Sequence, residues 1–146
     1  MFFNTNILQR VQDCLNRFKM AENNKSQYKL KYFKIEEFDS PDELGSGKKM
    51  DKKFLEKLDY ARHNAGIPFK ITSGYRTKEH NSKVGRIGSS HTKGLAADIA
   101  YNGSRQRYII LNALMSVGIT RLGIGKSFIH CDIDNLKDQD VIWLYN

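Results

Sequence analysis

Apolar residues recur at helical spacing in three parts of the chain and at alternate positions in several others. Residues 5–20 carry Ile7, Leu8, Val11, Leu15 and Phe18 on one stripe, with Arg10, Gln12, Asn16, Arg17 and Lys19 away from it. That pattern predicts an amphipathic first helix, with Asn4, Thr5 and Asn6 as possible caps. Residues 21–31 are polar and read as a linker, so residues 1–31 are expected to form an appendage to a domain spanning 32–146. Tyr32 to Asp39 is expected to be extended, leading to Ser40-Pro41-Asp42, where the proline disfavours helix at Ser40. A second helix is predicted from about Asp51 to Ala65, with Met50, Phe54, Leu58, Ala61 and Ala65 as its stripe and Gly66 as its end. A third is predicted from a Ser104 cap to about Val117, with Tyr108, Leu111, Leu114 and Met115 inward and Gly118 stopping it. Thr77 to Val84 reads as a short polar helix or turn. Strands are predicted in F-K-I-T-S-G-Y, in L-A-A-D-I-A-Y, and over Arg121–Gly125, Phe128–Ile133 and Val141–Tyr145. There is no regular βαβ alternation. The expected class is α+β, a small antiparallel sheet flanked by helices.

Composition adds bounds. The 146 residues are 40% hydrophobic and 27% charged, ordinary values for one domain with its own core. No apolar run approaches a membrane span. The start, M-F-F-N-T-N-I-L-Q-R, lacks the basic and long apolar regions of a signal peptide, so synthesis as a soluble intracellular product is expected. Cys14 and Cys131 lie far apart and read as separate thiols rather than a disulfide framework. The net charge of +8 favours polyanionic partners. Seven basic residues (Arg10, Arg17, Lys19, Lys25, Lys29, Lys31 and Lys34) precede Ile35 against Asp13 and Glu22. A solvated face explains them more simply than a nucleic-acid arm.

Candidate chemistry concentrates in S-S-H-T-K-G-L-A-A-D, residues 89–98. Gly88 and Gly94 argue against a helix there, so His91 is placed on a loop and Asp98 on the following strand. Alternation puts Asp98 on a face with Ala96 and Ala100, where a carboxylate needs a strong partner. A metal ion is one such partner, and His130 in S-F-I-H-C-D-I is the leading third ligand. His91, Asp98 and His130 would give a His-Asp-His zinc set of net charge +1, with a position left for water. Cys131 adjoins His130 but should point to the other face of its strand. His63 and His80 lie in polar surroundings and read as surface residues. Spacing alone leaves zinc and coincidence both open, because motif matches carry a false-positive risk.

The same residues carry a family resemblance. S-S-H-T-K-G-L-A-A-D followed by F-I-H-C-D resembles the M15 zinc peptidases, which include D-alanyl-D-alanine carboxypeptidases and phage endolysins that cut peptidoglycan stem peptides. The family pattern S-x-H-x-x-G-x-A-x-D is matched by Ser89, His91, Gly94, Ala96 and Asp98. I-P-F-K-I-T-S-G-Y-R-T resembles the strand carrying the family's arginine, here Arg76. F-K-I-E-E-F-D-S-P and M-D-K-K-F-L-E-K-L-D resemble the short phage and prophage subfamily. The resemblance covers about residues 32–145 and leaves out the first helix.

It implies a hedgehog/DD-peptidase-like fold and one zinc ion on His91, Asp98 and His130. It also implies a peptidoglycan-cleaving metallopeptidase, acting as carboxypeptidase or endopeptidase. Arg76 would bind a substrate carboxylate or the carbonyl oxygen that gains charge, a task suited to its planar fork, unless it merely pairs with Glu79. Ser89 would bind substrate or cap the loop. One departure stands out. Many members carry an acid three residues before the last His, where this chain has Ser127. Asp132 shares a strand face with His130 and is expected either to act as general base or to orient that ring. Asp134 is the runner-up for the base; otherwise it belongs with Asp138 and Asp140 to a solvated acidic tail. A monomer is expected, reaching the wall after release or within a phage particle. The rival readings are a catalytically impaired, zinc-stabilised wall-binding or virion module, and a nucleic-acid binder.

Overall fold

The computed structural model describes Gln12, Asp13, Asn16 and residues 29–145. The helix expected over residues 5–20 therefore lies almost wholly outside the described residues, as does Cys14. The chain enters the domain at Lys31 and Tyr32, whose backbone N–H groups both donate to the buried Asp59 carboxylate at 2.9 Å. The segment expected to be extended instead contains a 3₁₀ turn at Ile35–Phe38. Glu37 closes that turn by accepting the Lys34 N–H at 2.8 Å, and the turn drives Phe38 fully into the core.

Helix α1 spans Lys52–Ala65. Asp51 caps it by accepting the Phe54 N–H at 2.8 Å, and Gly66 ends it at φ 65°. Its expected stripe holds: Met50, Phe54, Leu58 and Ala61 are buried. Helix α2 is the short Lys78–Val84, capped by Thr77. Helix α3 spans Gly103–Ser116 and begins after Asn102, so Ser104 sits within the helix rather than at its cap. Its inward face also differs from expectation. Ile110, Ala113, Leu114 and the following Val117 are buried, whereas Tyr108 is 69% and Met115 is 45% exposed. At about 100° per residue the buried four share one stripe, and Tyr108 and Met115 lie on the far side.

The strands are β1 (Lys70–Ser73), β2 (Ala96–Ala100), β3 (Arg121–Ile124), β4 (Phe128–Asp132) and β5 (Val141–Leu144). They form one sheet in the order β1-β2-β4-β3-β5. All neighbours are antiparallel except β3 and β5, which run parallel. The exception arises because residues 133–140 carry the chain from the end of β4 past the start of β3. The class is α+β, with the sheet mixed at that edge.

Alternation divides the sheet's two faces. Ala97, Ile99, Leu122, Ile129 and Cys131 join the α1 and α3 stripes in the core. Cys131 is fully buried and free, with its Sγ 3.5 Å from the Ala97 carbonyl, and burial raises its thiol pKa well above the ordinary value. The opposite face takes Asp98 and, in register beside it, His130 and Gly123.

Candidate metal centre

Ser90–Lys93 forms a single 3₁₀ turn leading into β2. Ser89 Oγ caps it by accepting the His91 N–H at 3.3 Å, the loop-capping role weighed for this residue. Gly94 ends the turn at φ 71°, and its position is tight. A Cβ there would lie 2.3 Å from the Lys49 carbonyl oxygen, while the Gly94 carbonyl accepts the Asp51 N–H at 2.9 Å. The loop is thereby locked to the start of α1.

This places His91 over Asp98 and His130, which face each other across β2 and β4. His91 Nε2 is 3.2 Å from His130 Nδ1 and 3.3 Å from Asp98 Oδ1, and His130 Nδ1 is 2.9 Å from that oxygen. All three residues are buried. The outer atoms decide which protons are present. His91 Nδ1 lies 2.7 Å from the Gly74 carbonyl and must donate to it, so in the neutral ring Nε2 is a bare acceptor. His130 Nε2 lies 2.9 Å from Asp132 Oδ2, which leaves Nδ1 bare in the same way. Three acceptors then converge on one point, and only a shared cation or an added proton reconciles them. Tetrahedral zinc with bonds of about 2.0–2.1 Å has ligand–ligand edges of about 3.3 Å. The three observed separations are close to one face of that tetrahedron, and the donor set fits the metal.

The surroundings reinforce this polarity. Burial pushes the Asp98 pKa up, but a proton on the adjoining His130 and His91 rings, the other way to reconcile the three acceptors, outweighs it and holds the group well below its ordinary value. Burial lowers the His130 pKa, yet Asp132 and Asp98 bring the net shift upward. Arg76 pairs with Asp98, not Glu79: Nη2 is 2.9 Å from Oδ2, while Nε donates to Ser73 Oγ at 2.8 Å. Arg76 and Asp98 also line a cleft of about 290 Å³ with Glu37, Asp39, Thr72, His80 and Phe128 among its walls.

Asp132 is 1% exposed. Its Oδ2 faces His130, and its Oδ1 accepts from Arg121 Nε at 2.9 Å and from the Asp134 N–H at 3.0 Å. Asp134 is not part of a solvated tail. It is fully buried, and its Oδ2 accepts from Ser90 Oγ and Lys93 Nζ, both at 2.9 Å, tying the His91 loop to the segment after β4. Asp138, Asp140, Ser127 and His63 are exposed, and His80 is half-buried.

The chain matches the peptidase M15 family over residues 16–132, well over half its length. It belongs to that family. The M15 match begins upstream of residue 32, inside the segment read from sequence as an appendage, and ends at Asp132. None of the curated proteins compared matches the chain. Membership makes this M15 protein a peptidase of the metallopeptidase kind, with a peptide as its substrate. No helix among the described residues is long and apolar enough to cross a membrane.

Sequence reasoning missed the M15 centre's aromatic flank. Trp143 of β5 and Tyr145 just after it reach back across Gly123, where a Cβ would meet both rings at 2.6 Å. The Trp143 ring lies 5.6 Å and the Tyr145 ring 6.5 Å from His130, and Tyr145 packs at 5.2 Å on Phe128. The available signal was weak. It needed β5 placed beside β3, a pairing that local periodicity does not encode.

Proposed function

We propose that this M15 peptidase is zinc-dependent and cleaves peptidoglycan stem peptides, with His91, Asp98 and His130 holding one ion. The observation that carries the reading is the convergence of three buried acceptor atoms at 2.9–3.3 Å, each fixed by a partner on its far side. Bound zinc would supply Lewis acidity, polarising the scissile carbonyl and acidifying a water toward neutrality. The remaining roles belong to the chain. Gly74 and Asp132 hold the two imidazoles in the ligating tautomer. Arg76 pairs with the outer oxygen of Asp98 and, at the cleft wall, presents positive charge to a substrate carboxylate or a developing oxyanion. Ser89 holds the loop that carries His91. Of the two roles open to Asp132, orienting His130 is the better supported, because both its oxygens are occupied and it is shut off from solvent.

A second reading is a zinc-stabilised wall-binding module without activity. It is favoured by exposed Ser127, at the position where many relatives carry an acid. Mass spectrometry of fragments released from isolated cell walls separates the two. The zinc-loaded protein should release stem-peptide fragments, and chelator or His91→Ala should abolish them. Fragment masses also report whether terminal or internal bonds are cut. A folded protein with one equivalent of zinc and no fragments contradicts the peptidase reading of this site.

A further inference from the structure

Arg121 opens β3, directly opposite Asp132 in the β3–β4 register. It is 9% exposed, unusually low for a residue that rarely leaves solvent without a partner. Three groups engage its guanidinium region. Nε donates to Asp132 Oδ1 at 2.9 Å, Nη1 donates to the Asp138 carbonyl, and the group lies 5.3 Å over the Trp143 ring. The arginine is thus held by β4, by the segment leading to β5 and by β5 itself.

We propose that Arg121 is a positioning residue for the metal centre, acting through Asp132 on His130; the proposal rests on the zinc reading above. Asp132 is the only side chain among the described residues that accepts from His130 Nε2, and that acceptance frees Nδ1 for the ligand cluster. A carboxylate can turn about its terminal torsion. Arg121 and the Asp134 N–H both take Oδ1, which points Oδ2 at the imidazole. Partners of this kind, one step beyond the ligands, fix ring orientation and tautomer. The centre therefore has two arginine clamps, Arg76 on Asp98 and Arg121 on Asp132. Two arginines and two carboxylates cancel, so the pocket presents zero net protein charge to the ion when the imidazoles are neutral.

Zinc affinity, read by chelator competition on the full chain, tests this. Arg121→Met should weaken zinc binding by about 10–100-fold, the usual consequence of losing such a support. In an Asp132→Asn background the same substitution should change affinity little, because the route to His130 is already broken. The double variant also removes charge from both partners, which keeps the comparison usable if Arg121→Met alone folds poorly. An unchanged or tighter affinity for Arg121→Met overturns the proposal, as does a full additional loss in the double variant. A metal-free readout separates this from the zinc reading. Imidazole ¹⁵N–¹H spectra should show His130 protonated on Nε2 in the wild type, and that assignment should be lost in Arg121→Met. A wild type that binds no zinc refutes the metal reading, while the spectra still decide the role of Arg121. A spectrum unchanged by the substitution overturns it.

Discussion

Gly94 joins the loop that carries His91 to the rest of the fold, and replacing it by alanine separates two physical costs. The first is conformational. Gly94 sits at φ 71°, where a residue with a Cβ loses about 1–2 kcal/mol. The second is contact. The new Cβ would lie 2.3 Å from the Lys49 carbonyl oxygen and 2.9 Å from Met50 Cα, both backbone atoms that cannot turn aside. Overpacking of this kind costs about 1–3 kcal/mol more. Gly94→Ala is therefore expected to destabilise the protein by about 2–5 kcal/mol. Gly88 supplies the control. It has nearly the same φ, 75°, but nothing lies within 4 Å of its Cβ position, so Gly88→Ala carries only the conformational part. Urea unfolding with excess chelator measures both without a contribution from bound metal. Because the Gly94 carbonyl also holds the Asp51 N–H, the displaced loop should bind zinc more weakly too. Equal losses of stability for the two variants would refute the close approach of loop and α1.

Other substitutions probe other parts of the structure. Asp134→Asn should cost about 1–3 kcal/mol, because a buried acceptor for Ser90 and Lys93 loses its charge. Burial pushes the Asp134 pKa up, but hydrogen bonds from Lys93 and Ser90 bring it below the ordinary 3.8. A depressed folded pKa stabilises above the unfolded value and loses that stabilisation as pH falls through the folded one. The gap between wild type and Asp134→Asn, followed by urea unfolding, should be flat from about pH 7 to 5 and close below about pH 4. Phe54→Ala removes a fully buried ring and should cost about 3–5 kcal/mol in the same assay. Trp143 is the sole tryptophan and lies 5.6 Å from His130, so zinc should change its fluorescence. Gly123→Ala, which would press on that ring, should alter the emission even without metal.

The clustering of His91, Asp98 and His130 was legible in sequence because much of it is written in local rules. Alternation puts Asp98 and His130 on one face of their strands, and Cys131 on the other. The short turn between β3 and β4 sets the register of His130, so counting outward from it would also have put Arg121 opposite Asp132. The partner of Arg76 was not legible: Glu79 is three residues away, whereas Asp98 reaches it only through the β1–β2 pairing. Asp134 misled for the same reason, since its partners Ser90 and Lys93 lie more than forty residues back. Of the residues expected on the inward face of α3, Leu114 is buried and Leu111 packs on the core, whereas Tyr108 and Met115 are exposed, because several apolar stripes are available on that helix. Packing against α1 and the sheet selects the one with Ile110 and Leu114.

Zinc stoichiometry and affinity, measured on the purified protein and on single substitutions of the three ligands, test the metal centre most directly. The wild type should bind one zinc per chain. His91→Ala, His130→Ala and Asp98→Asn should each weaken binding while the metal-free far-ultraviolet circular dichroism stays that of the wild type. A wild type that binds no zinc, or a His91→Ala or His130→Ala protein that binds one equivalent as tightly as the wild type, would contradict a metal centre built from these residues.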